Sequence, residues 1–246
     1  MTDFAKIAPY YDLMTDFANR LVNDFGTIKN ILTQYDIKKA LDAGCGSGVH
    51  SIIMAKNGVD VTGLDASAEM LELARKNALR EGVEFPTEKE YFETMPNAWT
   101  DTFDGVFCLA NSLVGVETGE RLALSMKSFQ RVLKPGGVAI IQLVNFIKYR
   151  SKDQRIIKVS SKENYTFVRF FDFEEKAVRL NVLVIEHNMG QTSHQFISEK
   201  ILPINTDVIE VSSRIAGFSK VEFYSDLSLT EPYKADSNNL VAVATK

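Results

Sequence analysis

Between Leu41 and Gly48 the chain reads Leu-Asp-Ala-Gly-Cys-Gly-Ser-Gly. Alternating glycines let a backbone turn tightly and approach a ligand where a Cβ would clash. Asp65 follows in Gly63-Leu64-Asp65-Ala66-Ser67, at the tip of the next apolar run. A carboxylate there can accept hydrogen bonds from both hydroxyls of a ribose. It can equally cap the helix that follows. A dinucleotide site asks for G-x-G-x-x-G with a pyrophosphate at the helix start. Here the glycines stand at 44, 46 and 48, and the acidic Asp42 precedes them. A negative charge beside the loop suits a cationic or zwitterionic ligand better than a pyrophosphate.

Other polar residues stand where a site could use them. Asn111 lies at a strand end in Cys108-Leu109-Ala110-Asn111-Ser112, and Tyr10 and Tyr11 precede the first long helix. Tyr233 reads as a loop anchor or a site residue. Arg169 lies in a late strand, where a solvated face is the plainer reading. His50, His187 and His194 make no convincing ligand set, so no metal is expected. Cys45 and Cys108 are too few for a structural zinc site of their own and are expected to be reduced.

These residues need elements to hold them. Lys39–Gly44 is a short strand running into the glycines. Residues 16–34 and 47–57 read as helices, the second with Val49, Ile52, Ile53 and Lys56 on one face and Gly58 at its end. Val59–Leu64 is a strand, and Ser67 caps a helix with Met70, Leu71, Ala74 and Ala78 inward. Phe103–Leu109 is a buried strand. Leu122, Met126, Phe129 and Leu133 share a helix face that Pro135-Gly136-Gly137 terminates, and Val138–Val144 is a strand covered on both faces. This alternation predicts a parallel sheet with helices on both sides.

After about residue 150 the pattern changes. Residues 164–173, 178–187 and 193–202 are three consecutive strand-like segments joined at Glu174-Glu175-Lys176 and Asn188-Met189-Gly190-Gln191. Strands without intervening helices predict an antiparallel insert, placed at 150–203. A helix at 206–216 ended by Gly217, then strands at 219–225 and 239–245, return to the main sheet.

The 246 residues suit one domain, 1–246, with one elaboration. An apolar share of 45% and a charged share of 24% exclude a disordered chain or a disulfide scaffold. A net charge of −4 argues against a dedicated nucleic-acid binder, which needs basic excess. No run reaches the roughly 18 apolar residues of a membrane span. The N-terminus has no apolar core of a secretory signal, so a cytoplasmic protein is expected.

The glycine loop, Asp65, Phe103-Asp104-Gly105-Val106-Phe107-Cys108 and Leu133-Lys134-Pro135-Gly136-Gly137 together resemble class I S-adenosylmethionine-dependent methyltransferases. The match covers residues 36–145. The wording Gly46-Ser47-Gly48-Val49-His50-Ser51-Ile52 and Cys108-Leu109-Ala110-Asn111-Ser112 is similar to the glycine and sarcosine N-methyltransferase group. The resemblance implies a Rossmann-like α/β sheet of seven strands with helices on both faces. It implies S-adenosylmethionine as cofactor and S-adenosylhomocysteine as product. Ala43, Gly44, Cys45 and Gly46 would line the methionine part, and Asp65 would hold the ribose. Ala66, Met70, Tyr91 and Phe92 would surround the adenine, and Leu109 and Asn111 would lie beside the methionine. Tyr10, Tyr11, Asn111, Asn145 and Tyr233 are the acceptor-site candidates, with the N-terminal segment as a lid and the insert as a roof.

That group grips its substrate carboxylate with an arginine just after the fifth strand, where this chain has Val144 and Asn145. An apolar residue cannot pair a carboxylate, so glycine itself is not the expected acceptor. An amine nitrogen on a small molecule is the expected acceptor, since an oxygen more often needs a general base. O- or C-methylation of a phenol or quinone, and a non-catalytic regulator, are the alternatives. No Asn-Pro-Pro-Tyr follows the fourth strand, against methylation of DNA bases. The oligomeric state is not legible.

Overall fold

Apolar spacing in the first third builds helices ahead of the sheet. The computed structural model describes residues 3–174 and 178–246. A 3-10 stretch over Asp3–Tyr10 leads into one helical turn, α1 (Tyr11–Thr15), and then α2 (Phe17–Gln34). Asp16 joins the two helices in the left-handed region, φ 60°. Its carboxylate accepts from Asn19 Nδ2 at 2.8 Å and Lys162 Nζ at 2.9 Å.

The expected alternation follows as β1 (Lys39–Ala43), α3 (Val49–Lys56), β2 (Asp60–Asp65), α4 (Ala68–Arg80), β3 (Thr87–Lys89), β4 (Phe103–Cys108), α5 (Gly119–Val132) and β5 (Leu133–Val144). Ser67 caps α4 by accepting from Met70 N at 3.2 Å. After β5 come α6 (Phe146–Ser151), β6 (Ile156–Lys162), β7 (Tyr165–Phe173), β8 (Val178–Asn188) and β9 (Gln191–Ile201). The chain closes with α7 (Thr206–Ala216), β10 (Lys220–Tyr224) and β11 (Asn239–Thr245).

Among the described residues the main sheet has seven strands in the order β10-β11-β5-β4-β1-β2-β3. β1 is parallel to β2 and β4, while β11 runs antiparallel to both β5 and β10. Alternate residues feed two cores. Leu41, Val106, Ile141 and Ala242 bury on one face, and Ala40, Phe107, Ile140 and Val241 on the other. Both faces are covered, which is why these strands read as continuous apolar runs.

The second sheet is an antiparallel meander, β6-β7-β8-β9. It shares a core with the first: Phe171, Val178 and Ile201 are buried in one cluster with Leu143 and Phe146. The Phe146 and Phe171 rings lie 4.9 Å apart.

Four features depart from the sequence expectation. The insert has four strands in place of three, because β6 is an edge strand with exposed Ile156 and Val159 and no clear inward face. β3 is three residues long and polar, and α6 is six residues long, too short for a periodic signal. Leu133-Lys134-Pro135-Gly136-Gly137 does not separate α5 from β5: the strand starts at Leu133 and absorbs the glycines as an irregularity opposite Phe103–Gly105. The hairpin at 188–191 turns through Met189 (φ 36°) and Gly190 (φ 85°). Of the turn expected at 174–176, Glu175 and Lys176 lie outside the described residues. No helix among the described residues is long and apolar enough to cross a membrane.

Candidate active site

The chain leaves β1 outward through β2 to β3, then returns to β4 on the other side of β1. A reversal of this kind opens a crevice at the carboxyl ends of the two central strands. Gly44 directly follows β1, and Asn111 comes shortly after β4, so the sheet itself brings the glycine loop and Asn111 together.

Gly44, Gly46 and Gly48 all have positive φ, at 78°, 54° and 86°. The Gly44 and Cys45 amides both donate to Leu64 O, at 2.7 and 2.9 Å, which ties the loop to the end of β2. Gly44 is demanded by space as well as by backbone: a Cβ there would stand 2.5 Å from Ser112 Cβ. At Gly46 the nearest atom is the Tyr11 hydroxyl, 3.6 Å away, so Tyr11 lies over the loop.

Asp65 shapes the same loop. Its Oδ2 accepts from Gly46 N and its Oδ1 from Ser67 N, both at 2.9 Å. Burial pushes its pKa up, the Ser67 and Gly46 amides pull it down, and the nearby Asp42 adds to the rise. Asp42 is buried beneath the loop, accepts from Ser51 Oγ at 2.6 Å, and is likewise raised by burial.

A cavity of about 550 Å3 runs from this loop to the second sheet. Gly44, Gly46, Asp65, Ala66, Met70, Tyr91, Phe92, Asn111 and Tyr11 line it. Ala43, Cys45 and Leu109 are buried behind its wall. Tyr10 is also outside the lining and packs on Tyr165, ring centroids 5.3 Å apart. Asn145 and Tyr233 come together away from the cavity. The Tyr233 hydroxyl donates to Asn145 Oδ1 at 3.0 Å, and Asn145 Nδ2 donates to Ala235 O and Ser237 O at 2.9 Å. They pin the loop before β11 to the end of β5. Asn111 is held too: it sits at φ 74° and its Oδ1 accepts from Val144 N at 3.0 Å.

Sequence reasoning missed several lining residues. Arg20 and Asp24 come from α2, where an i,i+4 pair reads as an exposed ion pair; here Asp24 also meets the buried His50 at 3.3 Å. Arg121 of α5 pairs with Glu93 at 2.6 Å and lies over the Tyr91 ring, 5.4 Å from its centroid. Glu93 Oε2 is buried with no partner among the described residues. Arg169 also lines the cavity, with Leu180 and Val182 of β8. Its signal was legible in principle. It falls in the period-2 row of the buried Phe167 and Phe171, where a charge is out of place. Burial pushes the Tyr11 phenol up and the Arg169 guanidinium down.

The geometry fits a nucleoside bearing a cationic tail. The volume is that of a small-molecule site, and Asp65 and the unpartnered Glu93 oxygen offer acceptors. No group of three or more metal-ligating side chains occurs among the described residues.

The sequence matches the methyltransferase domain family over residues 36–201. It is 25% identical over 220 residues to the glycine/sarcosine N-methyltransferase of Aphanothece halophytica, covering 87% of this chain and 78% of that protein. It is 36% identical over 108 residues to the ubiquinone biosynthesis O-methyltransferase of Pectobacterium atrosepticum, covering 44% of this chain and 43% of that one. In fold it is similar to an S-adenosylmethionine-dependent methyltransferase of Clostridium acetobutylicum, with a TM-score of 0.78, 15% identity and 98% of each chain covered.

Proposed function

This chain belongs to the S-adenosylmethionine-dependent methyltransferases, and on that premise we propose that it methylates an amine nitrogen of a small molecule held between the main sheet and the second sheet. The observation that carries the reading is the composition of the cavity between the glycine loop and the second sheet. Glu199, Leu180, Val182 and Ile201 of the second sheet give its wall a carboxylate and apolar surface, and Asp24 of α2, paired with Arg20 and His50, gives a second carboxylate. Carboxylates draw an amine in, while apolar walls favour its neutral, nucleophilic form. The 25% identity to an N-methyltransferase extends over 87% of the chain, well beyond the glycine loop, and supports the same choice.

The cofactor supplies a methyl group on a positively charged sulfur. In this reading Gly44 and Gly46 present their backbone to it, Asp65 holds the ribose, and Ala66, Met70, Tyr91 and Phe92 enclose the adenine. Tyr11 closes the loop from above and β7, β8 and β9 roof the acceptor, so that the two reactants are aligned and water is excluded. Ala43, Cys45 and Leu109 support the wall from behind. The setting we assign is the cytoplasm, with no nucleic-acid partner.

A second reading, methylation of a phenol or quinone oxygen, has the 36% identity to the ubiquinone O-methyltransferase behind it. Calorimetric titration with S-adenosylmethionine, S-adenosylhomocysteine and NAD comes first, and only the first two are expected to bind. Incubation with amine, phenol and quinone panels and mass analysis of the products then decides. N-methyl products are expected, and methyl ethers or C-methyl products alone would overturn the proposal.

A further inference from the structure

Arg169 occupies the inward row of β7 between Phe167 and Phe171, both fully buried. It faces the cavity. Its Nε is buried and has no hydrogen-bond partner among the described residues. The other two arginines of the cavity are paired, Arg20 with Asp24 at 3.6 Å and Arg121 with Glu93 at 2.6 Å. Arg169 makes no ion pair among the described residues. The groups that act on it electrostatically are Tyr11, Arg20 and Tyr149: two phenols and one further cation. The Tyr11 phenol is held neutral by burial and supplies no countercharge. Glu199 lines the same cavity but sits opposite Leu180, whereas Arg169 sits opposite Val182.

A guanidinium enclosed without a counter-ion is costly, and its planar fork matches an oxyanion bidentately. Resting on the acceptor reading above, we propose that Arg169 is the specificity residue of the acceptor half, and that the methyl acceptor carries an oxyanion, carboxylate or phosphoryl, which Arg169 grips. The cation comes from the second sheet, whereas the end of β5 offers only Val144 and Asn145. The amine and the anion of the acceptor are thus read by different walls of one cavity.

The test uses full-length protein saturated with S-adenosylhomocysteine, as wild type, Arg169→Met and Arg169→Lys. Each is titrated calorimetrically with sodium acetate and with inorganic phosphate at constant ionic strength. At least one anion should bind the wild type, and bind Arg169→Met at least tenfold more weakly, with partial recovery in Arg169→Lys. Preference for acetate assigns a carboxylate, and preference for phosphate a phosphoryl group. Affinity for S-adenosylhomocysteine should stay within twofold throughout. No anion binding to the wild type, or equal binding to Arg169→Met, overturns the proposal. So does a tenfold loss of S-adenosylhomocysteine affinity in Arg169→Met, because the anion would then be the cofactor's own carboxylate. If Arg169→Met fails to fold, Arg169→Lys decides: unchanged anion affinity there refutes the fork. The amine reading stands or falls separately, on product analysis.

Discussion

At the scale of single residues, the loop glycines do different jobs. Gly44 combines a left-handed backbone with a Cβ position 2.5 Å from Ser112 Cβ, whereas Gly46 has ordinary room before Tyr11. Gly44→Ala should therefore cost about 2 kcal/mol or more in stability, strain plus overpacking, and Gly46→Ala about 1 kcal/mol. Urea denaturation of the two variants checks the order. Asp65 shapes the loop through the Gly46 and Ser67 amides and, in the proposed reading, also holds the ribose. Asp65→Ala should weaken S-adenosylhomocysteine binding by about 1–3 kcal/mol, read by calorimetry. Unchanged affinity would mean that the ribose is held elsewhere. Burial raises the Asp65 pKa above the ordinary carboxylate range, so as pH falls the group takes up a proton before an exposed carboxylate does. Binding by the ionised form should accordingly weaken as pH falls, beginning at a higher pH than an exposed carboxylate would set, and Asp65→Asn should flatten that dependence.

At the scale of elements, the legible parts were those whose own residues fix them. Ser67 announces α4 and does cap it; Ser67→Ala should cost about 1 kcal/mol in a denaturation experiment. Gly217 ends α7 at φ 92°, and Gly190 at φ 85° completes the turn from β8 into β9, both as glycine dictates. The illegible elements lie at edges. β3 and β6 each pair on one side only, so neither a continuous apolar run nor a clean alternation marks them. At Leu133 the strand begins without the break that its sequence suggests. Proline and glycines usually break a pattern, but here the start of β5 bridges them, with Lys134 Nζ held to Asp104 Oδ1 at 2.6 Å.

For the whole molecule, the two sheets share side chains. The core that packs beneath β4 and β5 also holds Phe171, Val178 and Ile201 from β7, β8 and β9. We propose that the chain unfolds as one unit. The single tryptophan, Trp99, packs edge-on against Phe103 of β4, ring centroids 5.6 Å apart, and reports on the main sheet. Its fluorescence and the far-ultraviolet circular dichroism, which weights both sheets, should trace one coincident urea transition. Two separated transitions would show the second sheet to be an independent unit.

The sequence by itself determined the strand–loop–helix around Gly44 and Asp65, and with it the cofactor class. Those residues are close in the chain, and glycine, carboxylate and cap each act through local backbone geometry. The part of the cavity wall beyond the glycine loop was decided by the tertiary structure alone. Arg20 and Asp24 reach the cavity because α2 packs on α3, and Arg169 because β7 turns its apolar row inward. Asn145 and Tyr233, polar and suitably placed in the sequence, satisfy each other instead. Whether a polar side chain meets a ligand or a neighbour depends on which distant segment packs against it. That is set by burial summed over the whole chain, which no local spacing records.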